Sequence, residues 1–184
     1  MRYKVNRIGF VNFWLYDEED FYFYDGKLLL RGTNGSGKTV TMQSFFPLIF
    51  DGNKSPERLD PFGSRDRKIE DYLLSDGVNE NTGYLYMEFY SKEDNKYLTI
   101  GIGLKAIRNR PTDFWGFSIT DNRRIGEDFI LFKERNLRIP LTKKELQTRI
   151  GSGGDFVDNG KEYKKMVNKL LFGYPNIDLY SEFI

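Results

Sequence analysis

One stretch of this sequence has residue types and spacing that could do chemistry by themselves: Gly32-Thr33-Asn34-Gly35-Ser36-Gly37-Lys38-Thr39, a complete match to G-x-x-x-x-G-K-[ST]. Glycines at these positions let consecutive backbone N–H groups turn inward on a chain of phosphates. A helix that starts where the loop ends offers the same anion its positive N-terminus. Lys38 has the charge and reach for the β- and γ-phosphates. The Thr39 hydroxyl is a ligand for a Mg²⁺ ion bridging those phosphates, and Val40 carries the site into the first helical turn. The motif therefore predicts a site for a Mg²⁺-bound nucleoside triphosphate running from Gly32 to Val40, with Thr39 as the metal ligand.

This chemistry needs a strand, the loop and a helix in succession. Residues 27–31, Lys-Leu-Leu-Leu-Arg, predict a buried strand entering the loop, and residues 40–46 a helix leaving it. Pro47 has no N–H and crowds the preceding turn, so that helix is expected to kink or end near Phe46, with Leu48, Ile49 and Phe50 still in the core. Upstream, residues 3–15 and 20–24 predict a hairpin joined by the acidic turn Asp17-Glu18-Glu19-Asp20. Its carboxylates lack the glycine and distal glutamate of a Ca²⁺ loop and receive no function. Downstream, Asp51-Gly52, Ser55-Pro56, Asp60-Pro61 and Gly63 mark residues 51–68 as an ordered loop that also carries Arg58, Arg65, Arg67 and Lys68. A short helix over 69–75 is expected next.

From residue 82 the apolar period changes to two. Leu85, Met87 and Phe89 share one face, as do Leu98, Ile100, Ile102 and Leu104 beyond the polar turn at 92–95. Strands over 114–120 and near 129–133 continue the pattern and predict an antiparallel meander with one buried face. The last third is helical. Thr142 and Glu145 have the spacing of a capping box, Leu141 and Leu146 that of a hydrophobic staple, and Gly151 stops the helix. A second helix over 160–172 buries Met166, Val167, Leu170 and Leu171 and ends at Gly173 before Pro175; a third begins near Asn176.

The 184 residues, 39% apolar and 16% aromatic, fill one domain over 1–184. With 28 Lys plus Arg against 27 Asp plus Glu, the net charge of +1 excludes a uniformly basic nucleic-acid binder but leaves room for local patches. The absence of cysteine and histidine removes disulfides, thiolate and imidazole metal sites and His-based catalysis. No apolar run approaches the ~18 residues of a membrane helix, so a cytoplasmic location without a membrane partner is expected.

Three weaker patterns carry less. Gly101-Ile102-Gly103-Leu104-Lys105-Ala106 fits G-x-G-x-x-[GA], but its glycines fall inside an alternating strand and no helix follows. Ser152-Gly153-Gly154-Asp155 has the form of the signature with which ABC-type ATPases grip a second nucleotide, yet Asp158-Asn159-Gly160 breaks the long helix that should follow. The nearest apolar strand ending in a carboxylate, 115–121 with Asp121, is interrupted and runs into a turn, so no convincing catalytic carboxylate is found.

The order of hairpin, Arg-Gly-Thr-Asn-Gly-Ser-Gly-Lys-Thr, helix, basic loop and antiparallel strands resembles the N-terminal lobe of an SMC-type ATPase head, within the α/β (α+β) class of P-loop NTPases. Residues 28–39 together with Leu59-Asp60-Pro61-Phe62-Gly63-Ser64-Arg65 look most like the SMC-like subunit of Wadjet-type plasmid-defence systems, relatives of condensin and MukB. The resemblance spans essentially the whole chain. It implies ATP and Mg²⁺ as ligands, with Arg65 or Arg67 beside the phosphates or near a DNA-facing surface. It further implies a C-terminal lobe and coiled coil elsewhere in a longer protein, a second head joined by homodimerisation, accessory subunits and duplex DNA as partners. On that view the chain is a fragment or a truncated reading frame. The Mg²⁺-sensing glutamine then falls beyond Ile184, with Gln147 a poorer candidate. Two other readings stay open: a self-sufficient small P-loop kinase or NTPase, and a degenerate P-loop interaction module.

Overall fold

The computed structural model describes residues 3–31, 33, 38–59, 68–74 and 77–176, with the backbone alone for 38–44. At its centre β3 (Glu80–Ser91) and β4 (Lys96–Ile107) form a long hairpin, turned where Asn95 takes a φ of 50°. β1 (Lys4–Phe13) pairs with β3, and β5 (Asp113–Ile119) with β4. β2 (Tyr16–Tyr22) and the short β8 (Phe156–Val157) complete a six-stranded sheet of order β2-β1-β3-β4-β5-β8 in which every pairing is antiparallel. The chain is thus mixed α and β, as its class predicted.

The alternation seen in the sequence is real, but it accounts for only half of the burial. Leu85, Met87, Phe89, Leu98, Ile100 and Ile102 form one buried cluster with side chains of α1 (Lys38–Asp51), α4 (Gly160–Phe172) and the 3-10 turn Ile69–Tyr72. On the other face Tyr84, Tyr86, Trp115, Phe117 and Ile119 are equally buried, beneath Ile125, Phe129, Leu131, Leu141 and Leu146. The expected single buried face is therefore corrected to two. The chain between β5 and β8 turns at Asn122 (φ 73°) and Gly126 (φ 86°) and folds back over the sheet. It carries β6 (Phe132–Glu134), β7 (Leu137–Pro140) and α3 (Lys143–Ile150). The strand expected near 129–133 accordingly belongs to a separate two-stranded sheet, β6-β7, rather than to the meander.

Glycine makes this second face possible. A Cβ on Gly101 would stand 2.3 Å from Cζ of Phe117, and one on Gly103 2.1 Å from Cε2 of Trp115, so the rings of β5 lie directly across the bare backbone of β4. Tyr86 covers Gly9 in the same way, with 2.0 Å between its Cζ and a built Cβ. Large side chains interdigitate with absent ones, which is how a sheet face reaches interior packing density. These contacts also settle the G-x-G pattern at 101–103 as packing.

Several local expectations hold. Thr142 Oγ1 accepts from the Glu145 N–H while Glu145 accepts from the Thr142 N–H, closing the capping box, and Gly151 caps α3. Asn159 caps α4, which ends at Gly173 with a φ of 76°, and the 3-10 turn lies inside the expected 69–75 helix. The helix expected from Asn176 lies outside the described residues beyond its first position.

Others fail for identifiable reasons. The β1–β2 reversal falls on Trp14 and Leu15, with Asn12 (φ 47°) and Trp14 (φ 56°) in left-handed backbone, and the acidic run 17–20 lies within β2. β2 is an end strand, where charged side chains reach water and guard an open edge. Pro47 lies inside α1, which continues to Asp51 and stops at Gly52 (φ 65°). One missing donor costs less than the buried packing of Phe45, Leu48 and Ile49 around it returns. Residues 51–59 include the short helix α2 (Pro56–Leu59) rather than loop alone.

Gly103→Ala tests the ring-on-glycine packing. Overpacking should destabilise the fold by about 1–3 kcal/mol in urea denaturation, with a change in near-ultraviolet circular dichroism from Trp115.

Candidate nucleotide site

Lys38, Thr39 and Val40 form the first turn of α1, so the helix begins where the motif requires it. Thr33 is exposed. Gly32, Asn34, Gly35, Ser36 and Gly37 lie outside the described residues, as do Arg65 and Arg67. The first turn of α1 holds no acidic side chain. The first turn itself therefore supplies no carboxylate to compete with an anion for the N-terminal N–H groups and the positive end of the helix dipole.

What the structure shows most fully is how that helix is held. Phe45, Leu48 and Ile49 are buried against the sheet, and the Phe45 ring lies 5.1 Å from Phe10 of β1. At the far end the fully buried Tyr163 hydroxyl of α4 donates to the Ile49 carbonyl at 2.6 Å, satisfying one of the last carbonyls of α1. Burial pushes the Tyr163 hydroxyl pKa well above its usual value, so it stays a donor across the physiological range. Gly52 passes so close to Gly160 that an added Cβ would lie 3.1 Å from its Cα, and Arg58 pairs with Asp51 at 2.9 Å. The C-terminal half of α1 is thus locked between sheet, α2 and α4, which fixes the direction in which its N-terminus points.

The entry to the loop differs from expectation. Residues 28–31 are not a strand, Leu29 is 72% exposed, and the nearest pairing is the isolated bridge between Tyr24 and Lys27. The segment has the sequence of a buried strand, and among the described residues no neighbouring strand pairs with it.

Three weaker candidates have defined places in the structure. Gln147 is exposed on α3, which packs on the face of the sheet opposite α1. Asp121 follows β5 and pairs with Arg123 at 2.7 Å. In the Ser152-Gly153-Gly154 turn, Cβ atoms on the glycines would lie 1.9 Å from Asp121 Oδ2 and from the Ser118 carbonyl oxygen. This turn leads into β8 rather than a helix, so its glycines serve close approach to β5.

One buried polar cluster escaped the sequence reading. Glu88, fully buried on β3, accepts from Arg7 (2.8 Å), from Asn6 (2.6 Å) and from both Nε (3.1 Å) and Nη2 (2.9 Å) of Arg124. Arg7 also pairs with Asp20 at 3.0 Å, and Asp20 accepts from the Tyr86 hydroxyl. Burial works to raise the Glu88 pKa, but the hydrogen bonds from Arg124 and Arg7 outweigh it and hold the carboxyl below the usual range. Every Glu88 oxygen is engaged, which makes the cluster a tie between β1, β2, β3 and the returning loop rather than a reactive centre. Its only sequence signal was a charged residue at an inward position on each of two strands.

Among the described residues no group of three or more Asp or Glu side chains is placed to hold a metal ion, and no helix is long and apolar enough to cross a membrane. No family model matches the chain, and no curated protein matches it.

Glu88 gives this region a pH dependence. Its folded pKa lies below the unfolded value of about 4.3, so its stabilisation is complete above that value and is lost as pH falls through the folded pKa. Glu88→Gln should cost about 3–5 kcal/mol at pH 7 by leaving buried arginine charge uncompensated. It should also flatten the acid limb of a stability–pH curve measured by urea denaturation.

Proposed function

We propose that this chain is the ATP-binding N-terminal lobe of an SMC-like ATPase head, of the kind found in Wadjet-type plasmid defence and in condensin and MukB. The observation that carries the reading is the phosphate-loop motif running straight into the first turn of a helix that is clamped at its other end on an antiparallel sheet. Gly32 to Gly37 wrap the phosphates with backbone N–H groups, Lys38 neutralises the β- and γ-phosphates, and Thr39 places its hydroxyl on Mg²⁺. Arg65 or Arg67 adds a second cation to the phosphates.

Segment 28–31, apolar and without a strand partner among the described residues, supports the same reading. Exposing Leu29 and leaving its backbone without strand partners is unfavourable in an isolated lobe and becomes favourable when a second lobe supplies a neighbouring strand. Such a lobe would also bring the hydrolytic carboxylate and the signature that grips the nucleotide of a second head. The working protein is then a cytoplasmic DNA-organising dimer with a coiled-coil arm and accessory subunits, acting on duplex DNA. A small P-loop kinase fits less well, because kinases build this site in parallel βαβ units and every pairing of the described main sheet is antiparallel. A degenerate interaction module keeps the fold and loses the ligand.

Lys38→Ala should abolish binding of Mg²⁺-ATP by the purified chain, measured by calorimetry, while its denaturation midpoint stays within error of the parent. Multiple-turnover hydrolysis by the chain alone, lost in Lys38→Ala, would sink the half-head reading. Thr39→Val keeps the side-chain shape but removes the oxygen ligand. ATP affinity should then fall in Mg²⁺ and change little in EDTA, whereas an equal loss in both would point to misfolding.

A further inference from the structure

Of the two ends of the sheet, the β5 end is covered: β8 pairs with Gly116 and Phe117, and the Ser118 and Thr120 N–H groups donate to the carbonyls of Asp155 and Gly153. The β2 end is open. No strand pairs with the outer side of Tyr16–Tyr22 among the described residues. The Phe23 N–H donates to Asn6, so in antiparallel alternation Phe21 and Glu19 also turn their backbone groups toward β1. Glu18, Asp20 and Tyr22 therefore present N–H and C=O groups outward, in register for another strand.

Natural edges are usually blunted by shortness, proline, bulges or charged side chains. This one is seven residues long, has no proline and is guarded by carboxylates alone, which repel an acidic strand and admit a basic one. It is flanked by unusually exposed aromatics, Tyr22 at 60% and Tyr24 at 90%. The charge is of one sign. Asp20 is consumed by Arg7 and Tyr86, and Glu18 is bridged by Arg138 at 3.3 Å. Asp17 and Glu19 are exposed on the opposite side of the strand, and neither has a cationic partner among the described residues.

We propose that the open edge of β2 is a docking site for an extended, lysine- or arginine-rich segment of a partner protein, which adds as a seventh strand. Backbone hydrogen bonds at Glu18, Asp20 and Tyr22 supply the affinity. Asp17 and Glu19 select basic side chains at alternate positions of the incoming strand, while Tyr22 receives an aliphatic one on the other face. The site does not use the phosphate loop and is independent of the nucleotide reading.

The probe is a fluorescent heptapeptide of alternating lysine and valine, compared with the same peptide N-methylated at alternate amides, in anisotropy titrations on the full chain. The unmodified peptide should bind and the peptide methylated on its inward-facing amides should bind at least about tenfold more weakly, because the edge bonds need those N–H groups. Asp17→Asn with Glu19→Gln should weaken binding about tenfold and reduce its salt dependence, and Lys38→Ala should leave it unchanged. Equal binding of the methylated and unmodified peptides would overturn the proposal, since diffuse charge attraction needs no edge. So would failure of the peptide to bind while the Asp17, Glu19 double variant self-associates, which would show that the carboxylates only guard the edge. The methylated-peptide comparison uses unaltered protein and decides the matter even where the double variant does not fold.

Discussion

The rings of Trp115 and Phe117 lying across Gly103 and Gly101 are the constraint on which the rest of the structure depends. They let β5 press its largest side chains onto β4 without forcing the strands apart, and so flatten the second face enough for residues 121–150 to close over it. That cover is held less by regular structure than by arginine. Arg149 donates to the carbonyls of Ile130 and Phe132, each at 2.7 Å, and Arg123 to those of Arg149 and Ile150 at 2.9 and 2.7 Å. Guanidinium groups satisfy carbonyls that an irregular segment cannot pair in a ladder. The Arg7–Glu88–Arg124 tie fastens the other end of the same segment.

A sheet covered on its second face is a rigid floor for the first. α1 rests on that floor through Phe45, Leu48 and Ile49 and is capped from behind by Tyr163. A phosphate loop binds through backbone N–H groups whose value depends on their being aimed in advance. The chain invests burial and a buried hydrogen bond at the C-terminal half of α1, and the N-terminal turn is free of carboxylates. On the proposed reading, positioning and recognition fall at opposite ends of one helix.

How much of this was legible depends on how local each cause is. The capping box of α3, the Asn159 and Gly173 boundaries of α4 and the β3–β4 hairpin rest on interactions a few residues apart, and they stand out in the sequence. The second buried face does not, because nothing near Tyr84 or Trp115 says that the segment carrying Ile125, Phe129, Leu131, Leu141 and Leu146 will fold back to cover them. The acidic run 17–20 misled for a related reason: four carboxylates look like a turn until an end strand is known to need them. Pro47 has the local character of a breaker, and only the burial of Phe45, Leu48 and Ile49 around it, which no local pattern states, keeps it inside α1. Glu88 and Arg7 were invisible as a pair, since only β1–β3 pairing brings positions 7 and 88 together. The phosphate motif is contiguous in sequence, and the helix expected to leave it begins at Lys38. The sequence reading of its entry strand was not borne out, because a strand exists only beside another strand.

That last point bears on what such a site can do. Holding a triphosphate needs a loop, a lysine, a hydroxyl and a helix end, all contiguous in sequence and all contributed by one stretch of chain. Turning it over needs a carboxylate placed against the attacking water, and contiguity gives no help with that. Three carboxylates are committed to arginines elsewhere: Glu88 to two of them, Asp121 to Arg123 and Asp51 to Arg58. The entry segment that leaves Leu29 in solvent immediately precedes the motif in sequence, and on the proposed reading a strand added there would bring its own terminal residues close to the γ-phosphate. Completing the sheet and completing the catalytic site would then be one event, and hydrolysis would report assembly rather than nucleotide binding alone.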